Sequence, residues 1–218
     1  MFNKIFYSKL NDIADWIIRI IVLNVLMIFF SLAIVTIYPA ISAGYNMFSD
    51  YVKKDNPKLF SGYFSYFKEA LLRKIIIQLI VALVFVFAYL NIRYYDIYLS
   101  EQSSTFYLIG YYISLALIAI WTATTFYTIV VVKVKPNIPY KNLFKLSFFL
   151  AGKFYLTTLL LVMVAFIPFL FILFAPTISP LFFIFTGLSI PVLLSALITK
   201  KAILYLEGLQ GNHDSTGH

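Results

Sequence analysis

The sequence predicts an all-α fold: a polytopic transmembrane bundle of about five spans with two cytoplasmic amphipathic helices. Three observations predict it. Of 218 residues, 62% are hydrophobic and only 12% charged, whereas a soluble domain carries roughly 25% charged residues. Too few polar side chains exist to clothe a water-facing surface, which excludes a soluble globular domain and a disordered chain. The apolar residues fall in long uncharged runs rather than in an alternating or one-faced pattern, and a membrane helix needs about 20 such residues at about 1.5 Å each. Tyrosines gather at the ends of these runs, as at Tyr94, Tyr95, Tyr98, Tyr107, Tyr111 and Tyr112, where interfacial anchoring places them.

Five segments qualify as spans, within a single membrane domain over 1–207. The first is 17–37, with Arg19 near its start and Pro39 just beyond its end. Its apolar run is much longer than the 7–15 residues of a secretory signal core, so it reads as a retained helix. The second, 75–92, is bounded by Arg73, Lys74 and Arg93. The third, 106–132, has no charge and must tilt or project beyond the hydrocarbon. The fourth and fifth, 154–175 and 178–199, share one uncharged stretch. It is too long for one crossing and is broken at Pro176 and Pro180, since proline removes a backbone donor and disfavours helix in the residue before it. A helical hairpin follows. Residues 208–218 read as a polar, flexible tail.

Excess basic charge in such a chain is topological. The net charge is +8, from 17 Lys and Arg against 9 Asp and Glu. With five crossings, the segments 38–74 and 133–153 and the start of the tail share one side. That side holds 13 basic residues, against 4 on the other (Lys4, Lys9, Arg19 and Arg93). The positive-inside rule then places the N-terminus outside and the C-terminus in the cytoplasm. Four or six spans remain alternatives.

Two basic segments between spans read as amphipathic helices. In 59–74, aromatics at Phe60, Tyr63, Phe64 and Phe67 keep the i, i+3, i+4, i+7 spacing of one helical face, beside Lys68. In 140–154, Phe148 and Phe149 lie beside Lys145. Phe and Lys together suit an anionic leaflet or a partner surface, so Phe60, Phe64, Phe67, Lys68, Lys145, Phe148 and Phe149 are the candidate partner-binding residues. Ser65-Tyr66-Phe67 before the second span echoes Ser147-Phe148-Phe149 before the fourth. The echo is either an internal repeat, as in many transporters, or convergence of two interfacial helices.

The chemistry that catalysis needs is sparse. There is no cysteine, which removes thiol catalysis and thiolate metal sites, and the two histidines, His213 and His218, lie in the polar tail. Ionisable groups are absent from the span centres, where transport and proton relays usually leave them; Arg19, four residues after Asp15, is the nearest. It reads as a snorkelling, ion-paired interfacial residue. Ser and Thr at depth, densest at Thr122–Thr128, read as helix-packing glue or as the lining of a polar path. No nucleotide-binding loop, nucleophile elbow or zinc-protease motif occurs. The expectation is no enzyme, no catalytic residue, no cofactor, no metal and no nucleic-acid partner.

One stretch carries a resemblance. Asn24, Ser31, Leu32, Val35, Thr36, Pro39, Ala40, Ala43 and Tyr45, followed by the Phe60–Lys68 helix, fall in step with the opening of the YesL-like family of uncharacterised bacterial integral membrane proteins. The family-motif residues carried here are Asn24, Ser31, Val35, Thr36, Pro39, Ala40 and Tyr45. The chain departs at Ala33, where that family usually has proline, and at Tyr38, where glycine is common. Without that proline the first helix is expected to run straight. Because such proteins are typically encoded beside carbohydrate ABC importers of Gram-positive bacteria, the resemblance implies a non-enzymatic accessory protein that binds or modulates permease subunits. The residues themselves leave two alternatives open: a small-solute transporter or channel acting as a homodimer, and a membrane scaffold or sensor. The lipid bilayer is a partner in every case. The chain is not itself a shrunken importer permease, since Leu150-Ala151-Gly152 lacks the glutamate of the coupling loop.

Overall fold

The computed structural model describes residues 2–101 and 104–214. Ten α-helices make up these residues, and no strand occurs among them: α1 (Phe2–Ser31), α2 (Ile37–Lys53), α3 (Leu59–Lys68), α4 (Leu71–Glu101), α5 (Thr105–Val134), α6 (Tyr140–Lys153), α7 (Tyr155–Phe174), α8 (Ser179–Phe182), α9 (Ser189–Ile198) and α10 (Lys200–Asp214). Four helices are long and apolar enough to cross a membrane, within α1 (Asn11–Ser31), α4 (Leu71–Leu99), α5 and α7. The bent pair α8–α9 makes up to five. The chain is therefore a multi-pass membrane helical protein. Its helices group into two units, one of Met1–Leu71 with Val162–Lys200 and one of Leu72–Leu161 with Lys201–His218.

In the first unit, α1 does not run straight to Ile37. It stops at Ser31, a 3₁₀ turn follows at Ile34–Thr36, and α2 begins at Ile37. Pro39 supplies the reason. It has no N–H for the carbonyl four residues back and is tolerated only in the first turn of a helix, where it now sits. Thr36 completes the break, its hydroxyl donating to the carbonyls of Phe30 (2.5 Å) and Ala33 (2.7 Å). The first helix is therefore broken although Ala33 is not a proline, contrary to the expectation of a straight helix.

The chain then doubles back. Gly44 of α2 packs against Met27 of α1 so closely that a Cβ would collide with the Met27 sulfur. Further along, Trp16 meets Tyr51 edge-on at 6.2 Å, and Arg19 donates to Asn56 Oδ1 at 3.4 Å. Helix α2 ends in a turn with Lys54 in the left-handed region (φ 68°), its N–H bonding Tyr51 O and the Asp55 N–H bonding Asp50 O. That pairing satisfies the last carbonyls of a helix. Helix α3 returns along α1, with the Phe67 ring centre 4.6 Å from that of Phe30, the rings tilted at 46°, and the Tyr63 hydroxyl on Ala40 O at 3.2 Å. The first amphipathic helix is therefore packed beside the second half of α1. The α2–α3 turn thus lies near Arg19 of α1, through Asn56, and the end of α3 near Phe30, through Phe67.

The hairpin expected after α7 is present. Phe171 and Phe182 stack face to face at 3.8 Å across the Ala175–Ile178 connection. The second half of the hairpin is itself broken: α8 passes through a π-helical turn at Phe183–Gly187 into α9, with a 48° bend. Pro191 in the first turn of α9 cannot bond the carbonyl of Gly187, which ends the regular ladder there.

In the second unit, α6 packs on α5 through Leu143, Ser147, Leu150 and Ala151, the i, i+4, i+7, i+8 stripe of a one-faced helix. Trp121 of α5 stacks on Phe144 at 5.2 Å. Arg73, at the start of α4, donates to the Ile138 carbonyl and lies over Tyr140 at 5.3 Å. The beginning of α4 and the α5–α6 connection are thus together. Helix α10 continues to Asp214, over much of the segment expected to be a flexible tail; His218 lies outside the described residues.

Candidate functional site

Asn24 is wholly buried in α1. Its Nδ2 donates to the carbonyls of Phe183 (2.9 Å) and Ile184 (2.7 Å). Its Oδ1 accepts from the amides of Leu188 (2.8 Å) and Ser189 (2.9 Å). A break in a helix releases backbone donors and acceptors that lipid cannot satisfy; one carboxamide meets four of them. Gly187 belongs to the same device, because a Cβ there would stand 2.8 Å from the Phe183 ring. In transporters, broken helices often turn such freed groups on a substrate or ion. Here the chain's own side chain holds them.

The other motif residues surround this lock. Pro39, Ala40 and Tyr45 are buried in α2, and the Tyr45 hydroxyl pairs with Thr199 Oγ1 at 2.6 Å. Thr36 closes the α1–α2 break as described. Val35 is half exposed, and Ser31 sits at the last position of α1. Sequence reasoning treated these residues as a resemblance; the structure assigns most of them to holding α1, α2 and α9 together.

Arg19 is held differently from the expectation. Its guanidinium lies over the Tyr51 ring at 4.3 Å and near Trp16 at 5.7 Å, with Asn56 as hydrogen-bond partner. Aromatic faces and an amide therefore take the place of the expected Asp15 pairing, a favourable use of the ring quadrupole.

The candidate partner-binding residues divide. On α3, Phe67 turns inward and is buried, while Phe60 is 60% exposed and Phe64 and Lys68 are also exposed. On α6, Phe148 (58%), Phe149 (51%) and Lys145 are exposed. Ser65-Tyr66-Phe67 and Ser147-Phe148-Phe149 do not face alike: Ser147 is buried where Ser65 is exposed, and Phe149 is exposed where Phe67 is buried. The likeness of the two segments is one of composition, which favours convergence over a repeat.

Hydroxyls at depth in the second unit are spent locally. Ser114, Thr122, Thr124 and Thr125 each donate to the carbonyl four residues back at 2.8–2.9 Å, the ordinary behaviour of Ser and Thr in membrane helices. Thr158 bonds Ala151 O at 2.8 Å and the Tyr127 hydroxyl at 3.2 Å, bracing the elbow between α6 and α7. At the same elbow Lys153 Nζ lies 3.3 Å from the Tyr205 ring centre. This contact ties α10 down, and only the folded geometry reveals it. Among the described residues, no group of three His, Cys, Asp or Glu side chains could hold a metal ion.

Comparison with known proteins adds one finding. Residues 20–92 match the family model described as "Protein of unknown function, DUF624". The match covers about a third of the chain, from the second half of α1 through most of α4, and includes Asn24 and the α2–α3 pair. The chain is thus similar over this region to an uncharacterised family. No curated protein and no solved structure matches it.

Proposed function

We propose that the protein is a non-enzymatic accessory subunit of the cell membrane that works by binding other membrane proteins, and that its partners are permease subunits of a carbohydrate ABC importer. The observation that carries the binding role is the pair of exposed aromatic–basic faces, Phe60, Phe64 and Lys68 on α3 and Lys145, Phe148 and Phe149 on α6. Large aromatic side chains left exposed suit the anchor positions of protein interfaces. Several polar groups deep in the helices are meanwhile bonded within the chain, as at Asn24, Thr122 and Thr158. The importer as partner follows from the sequence resemblance alone. The test is co-purification in mild detergent at native expression, together with sugar uptake after deletion. Recovery of permease subunits and altered uptake support the proposal; recovery of none, with uptake unchanged, refutes it.

A further inference from the structure

We propose that α2 and α3 form a re-entrant membrane hairpin. It enters from the side on which α1 ends, turns at Lys54–Lys58 within the membrane layer, and keeps that charged turn in water reached from the side on which α1 begins. This goes beyond the accessory role and does not depend on it.

The lengths lead there first. The candidate span of α1, Asn11–Ser31, has 21 residues, about 30 Å, enough to cross a hydrocarbon layer of about 30 Å. Helix α3 has ten, about 15 Å, and cannot cross. Its neighbours set its position. The turn between α2 and α3 stands at Arg19, through Asn56, and α3 ends at Phe30, through Phe67. Those two levels are about 16 Å apart along α1. The hairpin therefore starts and ends near the finish of α1, and its turn stops short of the opposite surface.

The chemistry of the turn decides its surroundings. Lys53, Lys54, Asp55, Asn56 and Lys58 are all exposed. Charges and non-helical backbone at membrane depth persist only when enclosed by protein or facing a water-filled cavity, and exposure removes the first option. Towards the Lys68 end the way is closed by Phe30 with Tyr63, Phe64 and Phe67, their ring centres 4.6–5.9 Å from that of Phe30. Water therefore reaches the turn from the Arg19 end. The arrangement is a charged recess above an aromatic seal.

The chain has no cysteine, so single cysteines in the full-length protein report directly. Asp12→Cys, Asn56→Cys and Glu69→Cys, all at exposed positions, are to be treated with a membrane-impermeant sulfonated maleimide in intact cells and in inside-out vesicles. The same side should modify Asp12→Cys and Asn56→Cys, and the opposite side Glu69→Cys. Asn56→Cys should react about tenfold more slowly than Asp12→Cys with this bulky reagent, since it lies in a recess. A small charged methanethiosulfonate should shrink that gap. Lys58→Cys repeats the measurement without removing the Arg19 contact. Labelling of the turn from the Glu69 side would overturn the hairpin. Silence from both sides, or a rate equal to that at Asp12, would overturn the recess.

Discussion

Asn24 and Ser189 are 165 residues apart in the chain, yet the Asn24 Oδ1 accepts the Ser189 amide at 2.9 Å. With the three companion bonds, this fixes α1 against the break between α8 and α9. Asn24→Ala strands two carbonyls and two amides in a buried site, at about 1–3 kcal/mol for each unsatisfied group. Membrane helices find partial substitutes, so a total loss of about 3 kcal/mol is expected, read as a lowered unfolding midpoint in detergent. Asn24→Asp should fare almost as badly, because a carboxylate keeps the two acceptor contacts but faces the Phe183 and Ile184 carbonyls without a donor.

Lys54 closes α2 at φ 68°, a conformation that costs a side-chain-bearing residue roughly 1 kcal/mol relative to glycine. Lys54→Gly should therefore raise stability by up to about 1 kcal/mol. Thermal unfolding of the purified protein checks it, and a lower midpoint would show that the lysine head contributes more than its backbone costs.

Lys153 and Tyr205 hold the start of α10 to the α6–α7 elbow by a cation–ring contact of 3.3 Å. Replacing Lys153 with Gln, or Tyr205 with Leu, should release α10 and cost about 0.5–2 kcal/mol locally. Tyr205→Phe should be nearly silent, since the ring face remains. Amide exchange across Lys200–Leu209 would record the loosening.

The parts of this fold that could be read from sequence were those governed by bulk hydrophobicity. The runs at 75–92 and 106–132 lie within α4 and α5, and Pro176 and Pro180 mark the α7–α8 turn as expected. The α1–α2 break was hidden, because the run from Ile17 to Ile37 is mostly apolar and the turn itself is built from Leu32, Ala33, Ile34, Val35 and Thr36, with no glycine or proline of its own. Helix α2 was equally hidden. Its Ser42, Asn46 and Ser49 give it the look of a polar loop, and its packing against α1, α3 and α9 makes it a buried helix. Periodicity placed Phe60, Tyr63, Phe64 and Phe67 on one face of α3, but it could not say that Tyr63 and Phe67 point at α1 while Phe60 points away. Asn24 stood out as a motif residue; its four partners, 159 to 165 positions away, could not be inferred from local pattern.

The claim that the aromatic–basic faces bind a protein is tested most directly by site-specific photocrosslinking in living cells. A photoreactive residue at Phe60 or Phe148 should give a discrete adduct with a permease subunit, while one at Leu83, an apolar position of α4 that is also exposed (59%), should give none. Adducts alike at all three positions would show that these faces are not favoured over any other exposed surface, adducts at none that they meet only lipid, and either would contradict the accessory role.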